Sequence, residues 1–387
     1  MKIAYLLSSS IVKAGTERIL SDKMNYLTRN YGYEITFITY EQRNYPLAFP
    51  LDERIKVIEL NVPFLPLFLL HSIKRVFAKA KQTRILRNKL HSVLKDIHPD
   101  YVVVTTYDFD KFEGILTLPY RFVIESHICI TDVRQEYKQN NILTRLYAKI
   151  LDKNHFRLLN KACCLVTLTN ADKSDWEQQV QLPVYVIPNC VTCYPEDITP
   201  YSGRPQRIVC VGRLTAQKGF DYLIEAWSLI ASKYPTWRID IFGHGDLEDA
   251  LHHMIKTHHL EDSISIHKPT SHIYDEYQNS SIYVLSSRFE GFGLVLVEAM
   301  SCGTPCVSFG CPHGPSELIT HGEDGLLVPL ADIKKLAEAM EWMMTHPEER
   351  QRMSLNARTK AQKYTTDHIM PQWKELFESI LSRPFNQ

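Results

Sequence analysis

Hydrophobic positions along this chain alternate between two periods. Short runs of apolar and β-branched residues predict buried strands, and the longer segments between them, in which apolar residues recur at helical spacing, predict helices. The predicted strands lie at residues 2–8, 34–39, 56–60, 100–105, 121–126, 238–242, 263–267 and 281–287. Strands that alternate with helices in this way predict an α/β fold built on doubly wound parallel sheets.

The alternation pauses once. The segment from Cys193 to Pro205 is rich in Pro, Thr, Ser and Gly and shows no hydrophobic periodicity, which is typical of a linker. The strand and helix pattern then starts again with RIVCVGRLTAQKGFDYLIEAW, which begins at Arg207. A chain of 387 residues is also too long for one ordinary core, so we predict two domains.

A glycine-rich turn, Arg288 to Gly293, joins the strand at 281–287 to an apolar segment that ends before Gly303. The first N–H groups of the helix that follows such a turn have no partner within the helix, and the helix dipole adds positive potential there. Gly291 and Gly293 allow a ligand to approach the backbone closely. The turn therefore predicts a site for an anion.

Two carboxylates frame this turn, Glu290 within it and Glu298 in the following helix. Because a carboxylate repels a phosphate, both are better suited to accept hydrogen bonds from the neutral hydroxyls of sugars and ribose. The predicted ligand is a phosphate flanked by hydroxyl-bearing rings. The alternative, an ordinary strand-helix unit with two solvated glutamates, stays open on the turn alone.

Two further positions favour phosphate. Arg213 and Lys218 follow the strand that begins at Arg207 and precede a helix that starts near Phe220, where two cations would neutralise a diphosphate. The first strand also leads into a helix whose mouth carries Gly15, a weaker indication of the same kind.

Composition excludes several classes of protein. Lys and Arg number 44, Asp and Glu also 44, and 44% of residues are hydrophobic, so neither disorder nor general nucleic-acid binding is expected. The start, MKIAYLLSSS, lacks the features of a signal peptide, and no apolar run could span a bilayer, which predicts a cytoplasmic protein. The nine cysteines have no complete zinc spacing and are predicted to be buried thiols.

Residues 64–95 contain no acidic residue. They comprise the apolar stretch FLPLFLL and a helix with basic residues, among them Lys74, Arg75, Lys79 and Lys81. Such a pattern is typical of a surface that docks on anionic lipid or holds the diphosphate of a lipid-linked acceptor. The alternative is a surface helix whose apolar stripe packs on the sheet and whose lysines are solvated.

Two polar positions follow strands of the first half. Asp108 and Asp110 form a D-x-D triplet, but two carboxylates without a diphosphate in reach are a poor magnesium site. His127 follows the strand at 121–126, at the end where open α/β sheets bind ligands. A histidine that merely caps a loop is the other interpretation.

At residues 287–307 the sequence SRFEGFGLVLVEAMSCGTPCV resembles the E-x7-E signature of the family 4 nucleotide-sugar glycosyltransferases, which have the GT-B fold. The segment around Arg213 and Lys218 resembles the G-R-L-x3-KG motif of this family, and PNCV at 188–191 resembles its PN-x-V segment. The resemblance implies two Rossmann-like domains that face each other across a cleft. It places an acceptor domain at residues 1–192 with a returning helix at 366–387, and a donor domain at 205–365.

The resemblance also assigns roles. Arg213, Lys218 and the N–H groups of Phe292, Gly293 and Leu294 are expected to stabilise the diphosphate, Glu290 to orient the sugar and Glu298 the ribose. The remaining positions expected near the donor are His127, Gly15, Asn189 and Gly291. The sequence departs from the family at Ala14, where a second glycine is usual, and at Lys268 and Pro269, where a glycine is common.

The implied activity is transfer of a hexose or N-acetylhexosamine, with retention of configuration, from a nucleotide diphosphate sugar to a glycan hydroxyl. A UDP-sugar is favoured over a GDP-sugar, and the acceptor is expected on a lipid-linked intermediate of a surface polysaccharide. Neither a metal nor a cofactor is expected, and the location is the cytoplasm, with residues 64–95 at the inner face of the membrane. The alternatives are a sugar-phosphate synthase of the same fold and a non-catalytic nucleotide-sugar-binding protein.

Overall fold

The computed structural model describes residues 1–12, 14–62, 64, 72–106, 111–130 and 154–382. The chain divides into two compact units: unit 1 comprises Met1–Ile187 and Met370–Gln387, and unit 2 comprises Pro188–Ile369. Each unit is built on one parallel sheet, which confirms the predicted α/β class. The Asp108–Asp110 triplet, FLPLFLL beyond Phe64, and the side chains of Lys74 and Arg75 lie outside the described residues.

The sheet of unit 1 has the strand order β3-β2-β1-β4-β5-β6-β7, and every neighbouring pair is parallel. Its strands are β1 Lys2–Leu7, β2 Glu34–Thr39, β3 Lys56–Glu59, β4 Tyr101–Thr105, β5 Phe122–Glu125, β6 Cys164–Thr167 and β7 Val184–Val186. The five strands predicted for this part of the chain are each present, with ends that differ by at most one residue.

Helices of unit 1 connect these strands. They are α1 Gly15–Tyr31, α2 Ser72–Ile97, α3 Phe112–Ile115 and α4 Asn170–Glu177, together with a short helix at 154–159. The side chain of Thr169 caps α4 by accepting the N–H of Asp172 at 3.2 Å. In α2, Leu86, Leu90 and Leu94 are fully buried at helical spacing and belong to the core of unit 1.

The sheet of unit 2 has the order β10-β9-β8-β11-β12-β13, again with every neighbouring pair parallel. Its strands are β8 Arg207–Val211, β9 Arg238–Phe242, β10 Ile264–His267, β11 Ile282–Leu285, β12 Cys306–Phe309 and β13 Gly325–Val328. The chain first adds strands on one side of β8 and then on the other, beginning with β11. The gap between the ends of β8 and β11 is therefore a topological switch point, where α/β sheets bind ligands.

Helices of unit 2 follow the strands. They are α5 Phe220–Ser228, α6 Glu248–Thr257, α7 Ile273–Gln278, α8 Leu294–Ser301, α9 Gly314–Leu318, α10 Ile333–Thr345, α11 Pro347–Ala361 and α12 Thr366–Leu381. Helix α11 is followed by a tighter 3₁₀ turn at Gln362–Tyr364. The division between the two units falls inside α12, after Ile369.

The predicted linker at 193–205 lies within unit 2 and is held there by arginines. The Arg204 guanidinium donates to the carbonyl oxygens of Cys302 at 2.6 Å and Gly303 at 3.0 Å, which are left unpaired where α8 ends. Arg358 donates to the carbonyl of Ser301 at the same helix end. The segment is polar because its Arg204 satisfies backbone carbonyl groups at the end of α8. It lacks hydrophobic periodicity because it is an ordered connection on the surface of unit 2.

Candidate functional site

The switch point of unit 2 is formed by two connections that follow neighbouring strands. After β8 the chain makes a short 3₁₀ helix, Ala216–Lys218, and Gly219 then opens α5 with a left-handed backbone, φ +62°. A Cβ at residue 219 would lie 2.0 Å from the carbonyl oxygen of Ser286, which begins the neighbouring connection. Only glycine permits this approach, so the lysine before it is brought against the turn after β11.

Lys218 and Glu290 form an ion pair at this point. The distance from Lys218 Nζ to Glu290 Oε1 is 2.6 Å, and the two side chains are 14% and 8% exposed. The hydroxyl of Ser287 donates to the same carboxylate oxygen at 2.6 Å. Sequence reasoning assigned the lysine to phosphate and the glutamate to sugar as separate groups, whereas the structure joins them in one ion pair.

Gln217 links the other cation to the glycine turn. Its side-chain oxygen accepts a hydrogen bond from Arg213 Nη2 at 3.2 Å, and its side-chain nitrogen donates to the carbonyl of Phe289, also at 3.2 Å. Its own carbonyl accepts the backbone N–H of Arg288 at 2.8 Å. Arg213 is exposed, and its contact with Gln217 leaves its charge uncompensated by that partner.

Arg288 clamps the same two connections from the outside. Its guanidinium donates to both carboxylate oxygens of Asp221, at 2.9 and 2.6 Å, and to the carbonyl of Ala216 at 2.7 Å. It also lies over the ring of Tyr222, 4.0 Å from the centroid. Burial raises the pKa of Asp221, but the hydrogen bonds from Arg288 outweigh it and hold that pKa below its usual value.

The glycine turn ends as predicted in a helix N-terminus. Gly293 precedes α8 with a left-handed backbone, φ +86°, which disfavours any residue with a side chain. Phe292 is buried, and a Cβ at Gly314 would lie 2.0 Å from its carbonyl oxygen. Close packing thus fixes the backbone whose N–H groups, at Gly293 and Leu294, open the helix.

Glu298 lies inside α8 and is 5% exposed. The hydroxyl of Tyr277 donates to its Oε2 at 3.2 Å. Burial, together with the charge of Glu298, raises the pKa of Tyr277 well above its usual value, so the phenol stays protonated and remains a donor. The orientation of this carboxylate is fixed by a neighbour that sequence reasoning did not identify.

The remaining predicted residues lie elsewhere. His127 and Gly15 belong to unit 1, and Asn189 is the second residue of unit 2 and half-buried. Gly15 begins α1 and is exposed, and a Cβ added there would meet no atom within 4 Å. Within unit 2 the structure brings together Arg213, Lys218, Glu290 and the turn from Gly291 to Leu294.

Five residues at this site were missed from the sequence: Gln217, Asp221, Tyr277, Ser287 and Arg288. The bonds from Gln217 to Phe289 and from Arg288 to Asp221 join residues that are distant along the chain, and the adjacency of β8 and β11 in the sheet brings them together. A signal did exist, because the doubly wound order of an α/β sheet places its first and fourth strands side by side. Applied to unit 2, that rule would have set the residues after Gly212 against those after Ser286.

Comparison with known proteins shows which families this chain resembles. Residues 197–360 match the family described as "Glycosyl transferases group 1". A protein of Haemophilus influenzae named "Uncharacterized glycosyltransferase" is 28% identical over 96% of this chain and 99% of its own length. The "Amylovoran biosynthesis glycosyltransferase AmsD" of Erwinia amylovora is 24% identical over 97% of this chain and 99% of its own length.

A solved structure shows the same fold. The crystal structure of a TarM variant from S. aureus, in complex with fondaparinux, alpha-GlcNAc-glycerol and UDP, superposes with a TM-score of 0.73 at 15% identity, over 97% of this chain and 99% of that one. The chain therefore has the GT-B fold, with two parallel-sheet α/β units. The family match and the named relatives support its assignment to the glycosyltransferases with that fold.

Proposed function

We propose that this protein is a retaining glycosyltransferase that moves a hexose or N-acetylhexosamine from a nucleotide diphosphate sugar to a glycan hydroxyl. A UDP-sugar is the favoured donor and a GDP-sugar the second. The acceptor is a lipid-linked intermediate of a surface polysaccharide. Two relatives support this choice: AmsD is named for the biosynthesis of a polysaccharide, and the TarM variant was crystallised with UDP.

One observation carries the proposal. At the switch point of unit 2, Arg213 and Lys218 lie on a connection that is bonded directly to a glycine turn and a helix N-terminus. Cations and backbone N–H groups that converge on one place suit a group whose negative charge grows during reaction. In sugar transfer from a nucleotide that group is the departing diphosphate. We propose that these groups stabilise it, with no metal required.

Retention of configuration fits a site of this kind. The acceptor hydroxyl attacks from the face that the diphosphate leaves, and the leaving phosphate oxygen takes the proton of that hydroxyl. The glycosidic bond forms as the bond from the anomeric carbon to the phosphate oxygen breaks, so no separate base is needed. Glu290 accepts hydrogen bonds from the sugar hydroxyls and Glu298 from those of the ribose.

The ion pair between Lys218 and Glu290 gives donor binding a further step. In the free protein the ammonium is neutralised by Glu290, and a diphosphate must take over this ammonium in order to bind. After this exchange Glu290 can accept hydrogen bonds from neutral hydroxyl groups, which the sugar beside the phosphate supplies. Lys218 suits this role because an ammonium on a flexible stem redirects easily between two acceptors.

A thermal-shift panel of nucleotide sugars tests the donor assignment. A ligand that binds only the folded protein adds about 2.7 kcal/mol of stability at a hundredfold excess over its Kd. We expect the largest shift from a UDP-sugar and the next from a GDP-sugar, each reduced in Lys218→Ala. Absence of a shift with every nucleoside diphosphate would overturn the donor site, and a shift without sugar transfer to any glycan would leave a binding protein.

The proposed lipid-linked acceptor rests on α2. Among the described residues of this helix, Lys81, Arg84 and Arg87 are exposed, and Phe77 is 73% exposed. Leu86, Leu90 and Leu94 pack into the core, so the predicted packed surface helix is present and its basic face points outwards. Among the helices that the structure describes, none has the length and apolar character to cross a membrane. We propose that this face docks on anionic lipid.

Sedimentation with vesicles tests the docking. Each basic residue near an anionic surface contributes about 1 kcal/mol through a field that salt screens. Replacement of Lys74, Arg75, Lys79 and Lys81 by Gln should abolish binding to anionic vesicles and slow transfer to a lipid-linked acceptor, while transfer to a short water-soluble acceptor persists. Equal loss of both activities would contradict the docking.

A further inference from the structure

Unit 1 contains a second lysine and glutamate in contact, and a histidine completes the group. Lys23 Nζ on α1 lies 2.6 Å from Glu125 Oε2 at the end of β5, and His127 Nε2 lies 3.0 Å from the same oxygen. The side chains of Lys23, Glu125 and His127 are 4%, 3% and 2% exposed. Charged side chains are rarely buried to this degree unless they hold something in place.

The group is enclosed by two aromatic residues. Lys23 Nζ lies 3.6 Å from the centre of the Trp373 ring, and Tyr5 on β1 lies near enough to Glu125 that the carboxylate charge, added to burial, raises the tyrosine pKa well above its usual value. Tyr5 is therefore a neutral phenol. Lys23 from α1 and Tyr5 from β1 thus surround Glu125, the carboxylate that contacts the histidine.

The charge on Glu125 fixes the proton of the imidazole. Burial raises the pKa of Glu125, but the charge of Lys23 and the hydrogen bond from His127 lower it by more. The pKa of Glu125 therefore lies below its usual value. An ionised carboxylate only accepts hydrogen bonds, so His127 must donate from Nε2. A neutral ring then carries its proton on Nε2 and a lone pair on Nδ1.

That lone pair has no partner among the residues the structure describes. His127 Nδ1 is fully buried and makes no hydrogen bond there, and the same is true of Glu125 Oε1 and the Tyr5 hydroxyl. Buried polar atoms of this kind are uncommon and call for a ligand or a water molecule. Glu125 holds the His127 ring through Nε2, so the lone pair on Nδ1 can accept a hydrogen bond.

We propose that Glu125, backed by Lys23, is a positioning residue that holds the proton of His127 on Nε2 and leaves Nδ1 to accept a hydrogen bond from a substrate hydroxyl. The identity of that hydroxyl, on a sugar, rests on the proposed function. The state of the ring does not. Lys23 keeps the carboxylate ionised and the carboxylate keeps the ring in one orientation, so neither residue needs to touch the substrate.

The state of the ring is measured in the ligand-free protein. Long-range ¹H–¹⁵N spectra of protein labelled at histidine, recorded at a pH where the ring is neutral, report which nitrogen is protonated, and His127→Asn identifies the signal. We expect the Nε2–H form. In Glu125→Gln the amide can donate as well as accept, so we expect a mixture of both forms. A predominant Nδ1–H form in the wild type would overturn the proposal, whether or not nucleotides bind.

Transfer assays give the second readout. Glu125→Gln paired with Lys23→Met removes both charges together, which keeps the folded protein free of a buried unpaired ion. We expect kcat to fall by roughly 10- to 100-fold, the loss seen when a partner that orients a metal-bound imidazole is removed, with the KM for the donor changed less. The variant Glu125→Asp, which keeps a carboxylate, should recover part of the lost kcat. Equal kcat in the double variant and the wild type would overturn the positioning role.

An exposed pair serves as the control. Glu34→Gln removes the partner of Lys2 at the edge of the same sheet, where the two charges lie 3.5 Å apart. It should change neither the His127 signal nor kcat. If Glu34→Gln lowered kcat as much as the double variant, the effect would belong to the stability of unit 1 and the positioning role would be wrong.

Discussion

Each unit contains an ion pair in which a lysine Nζ lies 2.6 Å from a glutamate carboxylate oxygen. The pair is Lys218 with Glu290 in unit 2 and Lys23 with Glu125 in unit 1. Their surroundings differ. The first pair lies beside a glycine turn and a helix N-terminus and is 14% and 8% exposed, whereas the second is 4% and 3% exposed beneath Trp373. Contact distance alone therefore does not define the role of an ion pair.

What separates the pairs is the cost of exchanging a partner. A phosphate that reaches Lys218 replaces one anion by another, so the ammonium is never left alone. The Lys23 ammonium is buried beneath Trp373, so loss of Glu125 would remove the carboxylate that it contacts at 2.6 Å. We infer that the pair in unit 2 can open, because Lys218 can exchange its carboxylate partner for a phosphate. The pair in unit 1 stays closed, because Lys23 keeps its partner.

The largest effect is expected from breaking the closed pair. Lys23→Ala leaves Glu125 buried without its counter-ion, which costs about 3–5 kcal/mol of folding free energy. The midpoint of urea unfolding, followed by circular dichroism, should drop clearly. Lys2→Ala, which breaks an exposed pair in the same sheet, should cost at most about 1 kcal/mol. Equal midpoints for the two variants would contradict the buried role.

The next effect concerns the open pair. Lys218→Ala should lower kcat by roughly 10²-fold or more, the scale of one lost donor to a developing negative charge. The unfolding midpoint should change less than in Lys23→Ala, because Glu290 keeps its bond from Ser287 and this pair is more exposed than the pair in unit 1. Lys233→Ala, which breaks a more exposed pair with Glu341 in the same unit, is the matched control and should keep full activity.

A smaller effect of opposite sign distinguishes exchange from simple attraction. Glu290→Gln removes the anion that competes for Lys218, so a nucleoside diphosphate should bind about two- to tenfold tighter, up to ~1.4 kcal/mol. Transfer should fall in the same variant, because the sugar loses an acceptor for its hydroxyls. Calorimetric titration with UDP measures the first and a transfer assay the second. Weaker UDP binding would show that Glu290 supports the diphosphate and does not compete for Lys218.

The smallest effect is a dependence on pH. The pKa of Glu125 in the folded protein lies below its usual value of 4.5, so its ionisation adds stability that is complete above the unfolded pKa and lost as pH falls through the folded one. The stability advantage of the wild type over Glu125→Gln should therefore be constant near neutral pH and shrink below about pH 4.5. An advantage that grows on acidification would contradict the ion pair.

The two ion pairs also show which features of the structure can be predicted from the sequence. Strand ends were predicted within one residue, or two for the strand at 281–287, because buried parallel strands are continuous apolar runs. Helix α8 was predicted to end before Gly303 because a glycine and a proline stop it there. Residues Arg213, Lys218 and Glu290 were identified from the motifs that carry them. Their mutual contact was not, since it depends on the order of strands in the sheet.

The group in unit 1 was harder to predict. Lys23 lies in a helix whose sequence is mostly polar, and nothing local shows that this lysine is buried together with apolar residues such as Met24. Glu125 did carry a signal that was overlooked, since a carboxylate at the end of a buried strand and two residues before a histidine needs a partner. The partner itself comes from α1, a hundred residues away in sequence, and only the fold brings it there.

Affinity for UDP and UMP, measured by calorimetry in the wild type and in Lys218→Ala, tests most directly that Lys218 serves the diphosphate. The nucleoside and the first phosphate are common to both ligands, so their affinity ratio isolates the second phosphate. We predict that the wild type prefers UDP by about tenfold or more, and that Lys218→Ala removes most of this preference while binding UMP as before. An unchanged ratio in the variant would show that Lys218 does not serve the diphosphate.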